Sequence, residues 1–251
     1  MKRLKILFYL FVLIANPVLA VDVNGRVDWS QRINMSTPLS GIVAEIPVNV
    51  GDRVEKGAVL LRLQPDRFNA ALSSANAVMK NESYKLKEAE REWARAQELY
   101  ERTVLSDSDL QLAENLLFSA KASFANARTQ QINAKRDVAE SVIRAPFPAI
   151  ILQRHVQPGE TVVTRMNTVP MISLAASSQY HANGAVSPSY ANKVAIGQTV
   201  TVTINNKTYD GVLASIGFEP IKGTDTYPIT ISFSAGDDLL RMGQAATIHL
   251  P

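Results

Sequence analysis

Between Pro65 and Pro146 the chain runs for 80 residues without a glycine or a proline, and 15 of those residues are alanine. Glycine and proline are the residues that interrupt helices and alanine is the best helix former, so the composition of this stretch predicts long helix. Its flanks constrain it further. On one side stand Thr37-Pro38-Leu39-Ser40-Gly41-Ile42-Val43, Val50-Gly51-Asp52-Arg53-Val54 and Leu60-Leu61-Arg62-Leu63. On the other stand Ala145-Pro146-Phe147-Pro148-Ala149-Ile150-Ile151, Pro158-Gly159-Glu160-Thr161-Val162 and Met171-Ile172-Ser173-Leu174. Pro38 and Gly51 are 13 positions apart, and so are Pro146 and Gly159. Two copies of one supersecondary unit, with their turn glycines in register and a helical insert between them, predict one small β-domain split by an arm.

The arm itself divides in two. Phe68, Leu72, Ala75, Met79, Glu82, Leu86, Ala89, Trp93, Ala96 and Tyr100 step by four and three, and so do Leu110, Ala113, Leu117, Ala120, Phe124, Ala127, Gln131, Ala134, Val138 and Ser141. Apolar heptads sustained over this length predict a coiled coil. Ser106, with Asp109 three residues later, is placed to cap the second helix, so the chain reverses near Thr103–Ser106 and the helices pair antiparallel. About 37 residues per helix at 1.5 Å each give an arm on the order of 55 Å long. Trp93 and Phe124 on the seam are core packing in this reading.

The first residues have a different character. Met1-Lys2-Arg3-Leu4-Lys5 is basic, Ile6–Ala15 is an unbroken apolar run, and Val18-Leu19-Ala20 supplies small residues for cleavage. The apolar stretch is shorter than the roughly 20 residues that cross a bilayer, so residues 1–20 read as a secretory signal peptide. That leader holds three of the 26 Lys and Arg and none of the 23 acids, leaving 23 of each in the mature chain. No basic run remains to attract nucleic acid. The chain has no cysteine, which excludes disulfides, thiol nucleophiles, thiolate metal sites and a lipidated N-terminal cysteine. His155, His181 and His249 stand apart from one another, and the six methionines are scattered, so neither a catalytic nor a metal-ligating motif emerges.

Beyond Leu174 the pattern turns to strands. Val200–Ile204 and Ile229–Phe233 alternate apolar and β-favouring polar residues, with Asn205-Asn206 and Gly223 as turns. Residues 176–251 read as a small β-barrel, which the strand-like residues 21–35 complete.

The half-repeat of Pro38, Gly41 and Gly51, echoed by Pro146 and Gly159, resembles half of a biotinyl or lipoyl carrier domain. With the helical insert and the later Gly197-Gln198-Thr199-Val200, Gly211-Val212 and Met242-Gly243-Gln244-Ala245 segments, the whole chain after the leader resembles the periplasmic adaptors called membrane fusion proteins, of the HlyD-like family. The resemblance implies an α+β architecture. A lipoyl-like sandwich (a barrel-sandwich hybrid) is split into residues 36–64 and 142–175, the inserted antiparallel coiled-coil α-hairpin spans 65–141, and a small β-barrel follows. Arg95, Leu99 and Ser106 match the hairpin-tip signature of adaptors that dock onto TolC-type outer-membrane channels. The resemblance further implies a non-enzymatic protein without cofactors, working as a ring, commonly of six copies. It would link an inner-membrane transporter to the channel for efflux across the periplasm, with an RND-type pump favoured and an ABC-type or major-facilitator exporter as alternatives.

Some positions depart from the repeat. Ala149 stands where the first half has Gly41, which implies that a positive φ is less accessible there, and Met171-Ile172 falls three residues late relative to Leu60-Leu61. Many RND adaptors continue into a membrane-proximal domain, whereas this sequence runs to Pro251. A carrier subunit of a biotin or lipoyl enzyme bears its cofactor on a lysine where the half-repeats join. Here the junction from Arg62-Leu63 to Val142-Ile143 has no lysine and holds the arm.

Overall fold

The computed structural model describes residues 21–163, 170–236 and 238–251. The expected leader at residues 1–20 lies outside them. Two compact units emerge among the described residues, one within Gln31–Ser177 and the other from residues 21–30 together with those of Ser178–Pro251.

In the first unit two four-stranded sheets face one another. One has the order β2 (Arg32–Met35), β9 (Ile172–Ala176), β7 (Ala149–Arg154), β4 (Arg53–Val54); the other is β6 (Val142–Arg144), β5 (Val59–Leu63), β3 (Gly41–Glu45), β8 (Thr161–Val162). Between them lies a core built on Val43, Leu60, Leu61, Leu63, Ile143, Ile151, Val162, Met171, Ile172 and Leu174. The internal repeat becomes a hydrogen-bond exchange between the halves. Gly51 N–H donates to the Ile151 carbonyl at 2.8 Å, and Gly159 N–H, 108 positions on, donates to the Val43 carbonyl at the same distance. Ile151 N–H returns a bond to Asp52 and Val43 N–H returns one to Glu160. The strand pairs match too: Gly41 faces Val162, and Ala149 faces Val54. Each half-repeat therefore completes the ladder of the other. Gly51 and Gly159 sit at φ +94° and +88°, where a side chain is strained.

Two sequence expectations are corrected here. Gly41 is not a turn residue of positive φ but the first residue of β3; what it needs is room, since a Cβ there would lie 3.2 Å from Leu63 Cδ1. Its counterpart Ala149 is fully buried at the start of β7, so the repeat tolerates a methyl group on that side. The N-terminal stretch also divides. β1 (Val21–Trp29) enters the barrel, but β2 pairs with β9 and belongs to the sandwich, where it mirrors the placement of β6 beside β5.

The helices α1 (Asp66–Glu101) and α2 (Asp107–Glu140) spring from the neighbouring strands β5 and β6. All ten expected seam positions of α2 are shielded, as are nine of the ten in α1; Tyr100 is the exception. The polar layer is satisfied across the seam, with Gln131 Nε2 donating to Asn76 Oδ1 at 2.9 Å. At the base Phe68, 4% exposed, leaves the seam and enters the sandwich core, with Val138 packed against it.

The second unit is a closed six-stranded barrel in the order β1, β10 (Gln179–Val186), β13 (Tyr227–Ser234), β12 (Lys207–Ile216), β11 (Thr199–Ile204), β14 (Ala245–Leu250), with a short helix α3 (Pro188–Ala191) after β10. Asn205 and Asn206 both adopt positive φ, which makes the two-residue turn joining β11 to β12. The core stacks Trp29 on Tyr180 and Tyr180 on Phe233, among Val202, Ile204, Leu213, Ile231 and Ile248.

Candidate functional site: the hairpin tip

The tip reverses without glycine. Val104 N–H bonds the Leu99 carbonyl at 3.0 Å and Thr103 N–H bonds that of Tyr100 at 2.8 Å, the paired closure of a Schellman motif. The left-handed position of that motif usually holds glycine; here Thr103 occupies it at φ +59°. For a β-branched residue that conformation costs on the order of 1–3 kcal/mol. The second helix starts on Ser106, whose hydroxyl accepts from Asp109 N–H at 3.2 Å and lies 2.6 Å from the Asp109 carboxylate. Asp107 and Asp109 place negative charge in the first turn of α2, where the helix dipole favours it. Across the reversal, a hydrogen bond to Asp107, reinforced by its charge, raises the Tyr100 hydroxyl above the ordinary tyrosine value.

The three residues of the tip signature have different surroundings. Arg95 is 65% exposed and bonds Glu92 at 2.9 Å, so its guanidinium stands on the hairpin surface. Leu99 is half-buried and takes the seam position that the sequence pattern assigned to Tyr100, which is exposed. Ser106 is the cap of α2. Arg95 and Leu99 line one groove with Ala96 of the seam and with Leu105, Leu112 and Leu116, three leucines that the sequence reading did not single out. Pro38, Gly41, Gly51, Pro146 and Gly159 lie in the sandwich, away from this groove.

Elsewhere the titratable groups pair in structural ways. Hydrogen bonds from Lys207 and then Tyr209 hold the Asp238 carboxyl below its usual value, and that carboxylate raises Lys207 in turn. His249 bridges Asp22 and Thr203 on the barrel, at 2.6 and 2.9 Å, and His155 reaches Ser173 at 2.8 Å. Among the described residues no group of three or more His, Asp or Glu is arranged to hold a metal ion. No described helix is long and apolar enough to cross a membrane.

A split lipoyl-like sandwich that carries a helical hairpin, joined in sequence to a six-stranded barrel, is the architecture of the membrane fusion proteins. Residues 31–173, more than half of the chain, match the family described as CzcB-like, barrel-sandwich hybrid domain, and the chain belongs to that family. The nodulation protein NolF of Rhizobium meliloti is 23% identical over 226 residues, 89% of this chain and 61% of that protein. The cobalt-zinc-cadmium resistance protein CzcB of Cupriavidus metallidurans is 26% identical over 199 residues, 76% of this chain and 37% of that protein. The chain thus spans less than two thirds of the length of either relative. The membrane fusion protein Spr0693 from Streptococcus pneumoniae R6 shares the fold, with a TM-score of 0.71 at 19% identity over 92% of this chain and 98% of that one.

Proposed function

We propose that this protein is the periplasmic adaptor of an efflux system, linking an inner-membrane transporter, of RND type, to a TolC-type outer-membrane channel. Copies act as a ring, commonly of six, and the first 20 residues are the export leader. One observation carries the reading: a paired helical arm leaves the sandwich from adjacent strands and ends in a capped, glycine-free reversal. An arm whose helices have 36 and 34 residues reaches about 50 Å, a span suited to bridging. The names of the relatives, cobalt-zinc-cadmium resistance and macrolide export among them, support efflux as the process. Arg95 is the docking residue of the tip signature, while Leu99 and Ser106 hold the tip in shape.

The test is efflux in cells whose own copy is replaced by Arg95→Asp, with Lys80→Asp, on the same helix far from the tip, as control. Arg95 is mostly solvated, so its substitution changes stability by less than about 0.5 kcal/mol. The expected result is normal protein level with efflux and channel cross-linking lost in Arg95→Asp only. Wild-type efflux in that variant would remove the docking role.

A further inference from the structure

The outer wall of the barrel carries a groove of about 1110 Å³ that runs across the strands. Strand register explains its direction. Thr203, Thr247, Asn24, Ala185 and Pro228 stand side by side on β11, β14, β1, β10 and β13, and Ala245, Arg26, Asn183 and Thr230 form the next row on the same face. All nine line the groove, which spans five strands and hence about 19 Å. The Asn205-Asn206 turn stands at the β11 end, and Ile221, from the loop between β12 and β13, at the β13 end. Between the two rows Gly25 faces Gly184. A Cβ on Gly25 would lie 2.7 Å from the Asn183 carbonyl oxygen, and one on Gly184 would lie 3.0 Å from Ile248 and Val23. Paired glycines of this kind mark a tight bend in a small barrel, and the rows lie over that bend.

The lining is built for a neutral ligand. Its two charged residues, Arg26 and Asp28, are of opposite sign and each is tied back: Arg26 Nη1 donates to the Gly243 carbonyl at 3.1 Å, and Asp28 Oδ1 accepts from Trp29 N–H at 2.8 Å. The remaining polar groups are amides and hydroxyls. The Thr230 hydroxyl donates to Asn183 Oδ1 at 3.0 Å, which orients that amide and leaves its NH2 to donate into the groove. No aromatic side chain lines the groove, so it offers no stacking platform to nucleobases. The barrel is closed, so an extended peptide finds no strand edge to extend. A sugar chain meets the remaining requirement, with hydroxyls that both donate and accept and with C–H faces that lie on small apolar side chains.

We infer that this groove binds a neutral oligosaccharide laid across the strands, its hydroxyls bonded to Asn24, Asn183 and Thr247 and its apolar faces on Ala185, Pro228 and Ile221. Sheet faces that take oligosaccharides across their strands occur in other small barrels. Two sources carry this chemistry, a saccharide cargo and an amino-sugar chain of the cell wall, and the acetamido groups of the second separate them. The binding itself does not depend on the adaptor reading, and its test needs neither transporter nor channel.

The test is titration of the purified full chain with cellotetraose and with the tetramer of N-acetylglucosamine, followed by amide NMR shifts. At least one tetramer should bind, with the shifts concentrated in β14, β1 and β10, and the affinity should be unchanged as salt is raised. A tenfold preference for the acetamido tetramer assigns the groove to an amino-sugar chain, and equal binding assigns it to a saccharide cargo. Asn24→Leu and Thr247→Val, both on the outer face, should each weaken binding at least fivefold with the thermal melt unchanged, whereas Asp210→Asn, on the outer face of β12 outside the groove, should bind as the parent does. Binding of neither tetramer, shifts that fall elsewhere, affinity that declines with salt, or equal effects of all three variants would overturn the inference. Its failure with Arg95→Asp still blocking efflux would leave the adaptor reading standing.

Discussion

Phe68 belongs by sequence to the arm and by packing to the sandwich, and the difference is measurable. If residues 66–141 were an insert and nothing more, replacing them with a short Gly-Ser linker would leave a folded all-β protein. In the structure Phe68 is 4% exposed among Leu63, Ile143 and Val162, so that excision also removes a core aromatic. Losing a buried phenylalanine costs about 3–5 kcal/mol through lost transfer energy and the cavity left behind. In a unit of this size that corresponds to a fall in melting temperature of more than about 10 °C. Excising only 73–133 keeps Phe68 and Val138 and should retain a cooperative melt with little helix. Phe68→Ala in the full chain and the 66–141 excision should both show the large loss. Scanning calorimetry with far-ultraviolet circular dichroism separates them: helix content tells which arm remains, and the transition tells what the core has lost. If Phe68→Ala melts within about 1 kcal/mol of the parent, or both excisions are equally stable, the arm does not contribute to the core and the reasoning fails.

Three further outcomes are expected. Thr103→Gly relieves a left-handed β-branched residue and should raise stability by about 1 kcal/mol in a denaturant melt, whereas Gly51→Ala and Gly159→Ala should each lower it by a similar amount, about 1–2 kcal/mol, because they occupy equivalent turns. Leu99→Ser should destabilise the hairpin more than Tyr100→Ser, and Ser106→Ala should cost about 1 kcal/mol as the loss of a cap, both read from helix melting at 222 nm. Asp238 has its folded pKa lowered, so the stability it contributes is present above the unfolded value near 4 and is lost as pH falls through the folded one; Asp238→Asn should narrow its gap from the parent as melts are taken from pH 6 to pH 2.

Local periodicity carried most of the arm. Every α2 seam residue from Leu110 to Ser141 is shielded because a two-helix seam depends on spacing alone. The error at Tyr100 is one of drift: a regular helix gains about 20° per heptad on a 3.5-residue repeat, and the step after Ala96 is three residues, to Leu99, rather than four. Pairings between distant strands were less legible. Nothing in Arg32-Ile33-Asn34-Met35 says that its partner is β9 rather than a barrel strand, because both offer the same alternating surface. Gly41 was misread since a glycine can answer either a φ requirement or a lack of space, and only the position of Leu63 distinguishes them. The Leu112–Leu116 groove went unmarked because periodicity finds what faces the partner helix and is silent about the flanks. The tip signature was visible as residue types, but the different surroundings of Arg95, Leu99 and Ser106 depend on the fold.

The reciprocal bonds from Gly51 to Ile151 and from Gly159 to Val43 bear on chain connectivity. Neither half of the sandwich carries a complete ladder, so the piece ending at Arg102 and the piece beginning at Thr103 are complementary fragments, held by the seam along the arm and by the interlocked strands at its base. A protease that nicks after Arg102, beside the 71% exposed Val104, cuts the backbone without separating the pieces. The nicked protein should elute at its original size and come apart only in denaturant. New ends can therefore be opened at the tip to carry a label or a fused domain, with the covalent link through the arm replaced by one elsewhere.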